Sequence, residues 1–184
     1  MAHPCGMEPD VAGMVRLALD KLRPENVDSS AVIVTGEGSE VDIVIVPHRD
    51  LGGVSLVLWT DSNGTQLMWA GIVDLSTHDD IDLGEVVTRI PHQGDWGLKL
   101  SDAIAAEFSR PIRVKYRRGF LGKPRIDCYI RVAGHHKRLR VLRPTPSQWR
   151  TNSKPLDTAV ISLAGGPPVW FSVPLALDKW RLQA

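Results

Sequence analysis

Basic and apolar residues alternate without a break from Ile112 to Arg117, and this spacing could bind anions. Alternate side chains of a β-strand point to the same face of a sheet, so the strand would present its cations together. Such a row can neutralise nucleic-acid phosphates or the carboxylates of an acidic protein. We expect two further strands, at 126–132 and 138–141, to extend the face, with Asp127 as its acidic member. The candidate partner-binding residues are Arg113, Lys115, Arg117, Tyr129, Arg131, Arg138 and Arg140.

The formal net charge of +1 conceals a strong separation of charge along the chain. Residues 110–143 carry twelve Lys or Arg and one Asp, a net +11. Residues 1–109 carry six basic and 18 acidic residues, a net −12, and residues 144–184 add four basic and two acidic residues. Such asymmetry indicates a charged partner. It is equally compatible with an acidic part that covers the basic part inside the fold.

Two other clusters could carry metal chemistry. The segment His78 to Asp82 offers carboxylates to a hard divalent cation, but it lacks the EF-hand spacing, and Asp residues often cap turns. His135 and His136, with His92, could supply metal ligands or a general base, but adjacent histidines at a hairpin tip diverge. No glycine-rich phosphate loop or serine nucleophile motif accompanies them. We therefore expect no metal site, no cofactor and no catalytic residue.

The elements that would position these residues indicate a single α+β domain over residues 1–184. A helix is predicted from Asp10 to about Arg23, and a second one ends at Phe108. Short β-branched runs and turn residues predict mostly antiparallel sheets of about eight to ten strands, with two or three helices in all. The three parts are an acidic part (1–109), a basic β-meander (110–143), and a connector with a strand pair (144–184).

The clearest hairpin joins Val54–Thr60 to Gln66–Val73 through Asn63 and Gly64. Asn-Gly favours a type I′ turn, which would place Trp59 opposite Met68. Both faces of this hairpin are apolar, so we expect a central strand pair covered on both sides, or covered on one side by a partner.

Six tryptophans are many for a chain of this length. Trp96 and Trp149 lie in segments that read as loops, and tryptophan is enriched at binding hot spots. We therefore add Trp96 and Trp149 to the candidate partner-binding residues.

The remaining composition indicates where the protein would work. Two cysteines are too few for a disulfide framework, and the N-terminal residues show no signal-peptide pattern. No run approaches the roughly 18 apolar residues of a membrane span, so no membrane partner is expected. Arginine outnumbers lysine 15 to 7, which suggests a GC-rich bacterial genome. A cytoplasmic bacterial protein is the expectation.

These observations favour a non-catalytic, cytosolic protein-binding module whose partner has an acidic surface. A bacterial immunity protein that neutralises a toxin is the preferred example, although no residue motif identifies it. The alternative is a nucleic-acid-binding protein that uses the basic sheet face of 110–143. The second alternative is a metal-dependent enzyme that uses the acidic cluster at 78–82. The oligomeric state stays open.

Overall fold

The computed structural model describes residues 10–36, 41–51, 54–72, 81–82, 86–118, 121, 124–139 and 158–171. Two of the candidate partner-binding residues, Arg140 and Trp149, lie outside these ranges, as do residues 78–80 of the acidic cluster. The described part contains two α-helices, a short 3-10 helix at Ser29–Ala31, and eleven strands in two antiparallel sheets. The predicted α+β class is confirmed, with one strand more than expected.

The helices are α1 (Val11–Leu22) and α2 (Trp96–Phe108). The strands are β1 (Ile33–Thr35), β2 (Asp42–Pro47), β3 (Val54–Asp61), β4 (Gly64–Ile72), β5 (Ile81–Asp82), β6 (Val86–Ile90), β7 (Ile112–Arg118), β8 (Pro124–Val132), β9 (His135–Leu139), β10 (Thr158–Ile161) and β11 (Val169–Phe171).

The first sheet has six strands in the order β1-β2-β3-β4-β5, and β6 also pairs with β4. The second has five strands in the order β11-β10-β7-β8-β9. The basic part forms the predicted meander β7–β8–β9, and the predicted C-terminal strand pair forms β10 and β11. Because β10 pairs with β7, the basic meander lies between β10 and the sheet edge at β9.

The central hairpin β3–β4 is buried on both faces, as its apolar pattern predicted. Its register differs by two residues from the expected one, because Val57 rather than Trp59 lies opposite Met68. A shift of two residues leaves every side chain on its predicted face. One face belongs to a cluster with Leu56, Leu58 and Trp69, and the other to a cluster with Val57, Met68 and Ala70.

The two-residue shift in register places Gly64 in strand β4 and outside the turn. The turn is centred on Ser62 and Asn63, whose backbone N–H donates to Asp61 Oδ1 at 2.7 Å, and Gly64 already pairs with Asp61 in the ladder. Gly64 has φ 147°, and a Cβ there would collide with the carbonyl oxygen of Ile90 on the neighbouring strand β6. The glycine is therefore needed for the close approach of β6 and not for the centre of the turn.

One hydrophobic cluster contains residues from both helices and both sheets, including Val15 of α1, Leu100 of α2, Leu58 of β3 and Val114 of β7. Helix α1 begins at Asp10, whose carboxylate accepts the backbone N–H of Gly13 at 2.6 Å, as expected for an N-cap. This larger of the two clusters thus joins both helices to both sheets, while the cluster of Val57, Met68 and Ala70 lies on the other face of the first sheet.

A buried ion pair crosses this interior at the end of α2. Glu107 is 2% exposed, and its carboxylate accepts the indole N–H of Trp69 on β4 at 2.7 Å. Arg110 donates to both oxygens of the same carboxylate through Nε and a terminal nitrogen. A second terminal nitrogen of Arg110 donates to the backbone carbonyl of Arg131 on β8 at 2.5 Å. The network therefore connects α2 to both sheets.

His48 is a second buried polar group, 2% exposed, directly after β2. Its Nδ1 accepts the backbone N–H groups of Asp50 and Leu51, each at 3.2 Å, so the neutral ring carries its proton on Nε2. Burial lowers the pKa of His48 from 6.5 to about 4; nearby Asp50 raises it and Arg49 lowers it further. Protonation at Nδ1 would break both backbone hydrogen bonds.

Replacing Arg110 with Ala should reduce the free energy of unfolding by about 3 kcal/mol, because Glu107 would stay buried without its counter-charge. Urea denaturation measures this change. The matched control is Lys99→Ala, which removes the exposed Asp95–Lys99 pair (2.8 Å) and should cost less than about 0.5 kcal/mol. Equal costs for the two variants would contradict a structural role for the buried pair.

Stability should also fall as the pH drops below the ordinary pKa of His48. The folded-state pKa lies below the unfolded value of 6.5, so the unfolded chain binds the extra proton between pH 6.5 and about 4. The contribution of His48 to the free energy of unfolding should fall by about 2 kcal/mol between about pH 7.5 and about pH 5. His48→Asn keeps an acceptor near the Nδ1 position but cannot titrate, so its loss over the same range should be smaller. A variant profile parallel to the wild-type profile would refute this role.

Candidate anion-binding face

Strand pairing brings the predicted basic residues to one face of the second sheet. Arg113, Lys115 and Arg117 of β7 lie opposite Tyr129, Asp127 and Arg125 of β8. Strand β9 adds Arg138 opposite Tyr129, and His136 opposite Arg131. We call this surface the basic face. Its described residues are Arg113, Lys115, Arg117, Arg125, Asp127, Tyr129, Arg131, His136 and Arg138.

Arg125 belongs to this face but was absent from the predicted set. The predicted strand began at residue 126, whereas β8 begins at Pro124. A proline is tolerated as the first residue of a strand, and Arg125 is two residues before Asp127, so it points to the same face. If the alternation of polar and apolar residues is extended from Asp127 toward the N-terminus, it includes Arg125.

Asp127 is the centre of the basic face. Its Oδ1 lies 3.0 Å from Arg125 Nε and 2.6 Å from a terminal nitrogen of Arg138, and its Oδ2 lies 2.5 Å from Arg117 Nε. The Asp127 side chain is 0% exposed, whereas those of Arg117, Arg125 and Arg138 are 38%, 47% and 54% exposed. We call these four residues the arginine cluster. One buried carboxylate therefore holds three half-exposed guanidinium groups from three adjacent strands.

The arginine cluster keeps an excess of positive charge. Three guanidinium groups share one carboxylate, so the cluster has a formal charge of +2. A terminal nitrogen of Arg117 also donates to the hydroxyl of Tyr129 at 3.3 Å, which orients this guanidinium further. Two charge-assisted hydrogen bonds, from Arg125 and Arg138, and the ion pair with Arg117 offset the cost of burying Asp127.

The basic face is not uniformly solvated, contrary to expectation. Arg113 is only 8% exposed, because it lies on the inner strand β7 between β10 and β8. Burial lowers the pKa of Arg113, while the neighbouring Tyr129 raises it. Burial, Arg131 and Arg113 together lower the pKa of His136. The face is therefore closed around Arg113 and most open at Arg125 and Arg138.

Trp96 is the first residue of α2 and does not lie in a loop. It is half-buried, packs against the hydrophobic core, and its ring centroid lies 5.0 Å from that of His92. His92 Nε2 in turn lies 2.9 Å from Thr65 Oγ1. These contacts explain Trp96 as a packing residue; its predicted partner contact stays untested.

The histidines do not form a common site in the described structure. His135 and His136 belong to β9 and not to a hairpin tip, which consists of Ala133 and Gly134. Adjacent strand residues point to opposite faces, and His92 contacts Thr65 of the other sheet. Within the described ranges, no three His, Cys, Asp or Glu side chains are grouped for a metal ion.

The acidic part does not neutralise the basic face among the residues that the structure describes. The ion pair that joins the two parts there is Glu107–Arg110, which lies in the core. The arginines of the cluster pair instead with Asp127, from the basic part itself. Within the described ranges, the arginines of the cluster therefore find their counter-charge in the basic part itself.

Comparison with known proteins finds no match to this chain among family models, curated proteins or solved structures. In the portion of the chain that is described, neither helix has the length and apolar character to cross a membrane. The basic face is therefore the feature of the described structure from which a function can be inferred.

Proposed function

We propose that this chain is a non-catalytic protein-binding module that takes an acidic protein on its basic face. The observation that carries the proposal is the unneutralised charge of this face. Its described residues include six Lys or Arg and one Asp, a formal charge of +5, and Asp127 is fully buried. Complementary charge increases the association rate and excludes wrong partners without any catalytic group.

The geometry favours carboxylates over nucleic acid as the ligand. Binding of single-stranded nucleic acid generally combines a basic groove with several aromatic rings on which bases stack. On the described part of the basic face, Tyr129 is the aromatic residue, and its hydroxyl already accepts a hydrogen bond from Arg117. The guanidinium groups, by contrast, already engage one carboxylate of the protein itself, that of Asp127.

The most specific form of the proposal is a bacterial, cytosolic immunity protein that neutralises a toxin. Small size, an arginine-rich composition and a charged sheet face support this form. Such a protein would act by covering the functional surface of its target. Nucleic-acid binding is the competing outcome of the experiment below.

The test neutralises two face residues outside the arginine cluster. The face variant is Lys115→Gln/Arg131→Gln, and the matched control is Arg16→Gln/Lys21→Gln, which removes the same charge from the exposed surface of α1. Each protein captures partners from a lysate of the source organism, with and without nuclease. The captured partner is then purified and its affinity is measured at low and high salt.

We expect one nuclease-resistant partner with an acidic surface, bound about tenfold more weakly by the face variant and equally well by the control. Its association rate should fall as salt increases, because screening weakens long-range attraction. Nuclease-sensitive capture would replace the proposal with nucleic-acid binding. Equal affinities for the two variants would exclude the basic face.

A further inference from the structure

We infer that Arg117, Arg125 and Arg138 form a preorganised site for a pair of carboxylates on the partner, with Asp127 as the positioning residue. This inference rests on the proposed function and deepens it, because it names the group that is recognised and where it binds. It predicts that the geometry of the cluster, and not only its charge, decides affinity.

Each of the three arginine side chains contacts the buried Asp127 carboxylate and is also partly exposed to solvent. Asp127 is inaccessible to solvent, so it acts below the surface, while the arginine side chains remain between about one third and one half exposed. Arg117 and Arg125 both direct Nε toward Asp127. This leaves the terminal nitrogens of Arg125 for other acceptors, whereas one terminal nitrogen of Arg117 already donates to Tyr129.

The terminal nitrogens of Arg125 are the clearest open donors. No described residue accepts a hydrogen bond from them, since Arg125 contacts Asp127 through Nε alone. Arg138 uses one terminal nitrogen for Asp127 Oδ1, so its other nitrogens also lack an acceptor within the described structure. A guanidinium with two free terminal nitrogens binds a carboxylate through two parallel hydrogen bonds.

The charge of the cluster sets the number of carboxylates that it can take. After Asp127 is counted, two positive charges remain uncompensated. Two neighbouring Asp or Glu side chains on a partner would neutralise them. Because Asp127 already restrains the arginine side chains, binding loses less conformational entropy than it would with free arginines.

Asp127 makes the inference testable, because two models predict opposite effects for Asp127→Asn. This substitution raises the net charge by one, so a model of bulk charge attraction predicts tighter binding of an acidic ligand. If Asp127 positions the arginines, loss of its charge should release them and weaken binding. The fold of the variant is checked by urea denaturation and circular dichroism.

A second pair of variants keeps the charge and leaves Asp127 in place. Arg125→Lys/Arg138→Lys removes the planar guanidinium groups while preserving every positive charge. The matched control is Arg16→Lys, at an exposed position of α1 that does not belong to the basic face. A lysine ammonium cannot form the paired hydrogen bonds that a guanidinium forms. These variants test whether guanidinium geometry or charge alone decides the affinity, even if Asp127→Asn does not fold.

The probe is a fluorescent peptide of ten glutamates, titrated by anisotropy, with a thymidine oligonucleotide of equal length for comparison. We expect wild-type protein and Arg16→Lys to bind the peptide equally. Asp127→Asn and Arg125→Lys/Arg138→Lys should each bind about fivefold more weakly. The oligonucleotide should bind no more tightly than the peptide.

Several results would overturn the inference: no binding of the peptide to wild type, tighter binding of the oligonucleotide, or wild-type affinity in Arg125→Lys/Arg138→Lys. The Lys115→Gln/Arg131→Gln variant separates this failure from failure of the proposed function. If it weakens peptide binding while the lysine variants do not, the basic face binds acidic ligands by charge alone. If neither changes binding, the proposed function fails as well.

Discussion

The buried carboxylate of Glu107 is the constraint on which the arrangement of the two sheets depends. A buried carboxylate is tolerated only where donors surround it, and here the donors come from Trp69 of β4 and from Arg110. Arg110 then reaches the carbonyl of Arg131 on β8. The end of α2 is therefore fixed against both sheets by directional bonds, whereas the surrounding apolar contacts alone would permit sliding. The position of β8 relative to α2, and with it that of the basic face, follows from this network.

Asp127 is also a buried carboxylate that pairs with arginine, but its ion pairs leave an excess of positive charge. Glu107 meets one guanidinium and is matched in charge, so its network is closed inside the protein. Asp127 meets three guanidinium groups and leaves them in excess, at a face that opens to solvent around Arg125 and Arg138. Buried ion pairs are often replaceable by apolar residues without loss of stability. The balanced pair instead joins the end of α2 to both sheets, while the arginine cluster keeps a formal charge of +2.

The sequence predicted the fold class, the basic meander and the faces of the central hairpin, because each depends on local periodicity. It did not predict features that depend on a third strand. The hairpin register depends on Gly64, which must allow β6 to approach, and Arg125 was missed because Pro124 appeared to precede the strand. The burial of Asp127 requires arginines from β7 and β9 as well as from its own strand, and pairing order is not visible in a single alternating run. Trp96 looked like a loop residue, since Asp95 is equally suited to a loop or to a helix cap.

The ion pairs of Asp127 show how the concentration of positive charge in residues 110–143 is partly compensated within the fold. Like charges crowded on one sheet face repel one another and reduce the stability of the fold. Among the described residues, the ion pairs that relieve this repulsion are made by Asp127, an acid of the basic part itself. Asp127 compensates the charge of the arginines from below the surface, so their side chains stay partly exposed. An acidic residue on the solvent side of the arginines would compensate the same charge but would also cover them. The buried position of the Asp127 carboxylate is therefore compatible with arginine side chains that remain 38% to 54% exposed.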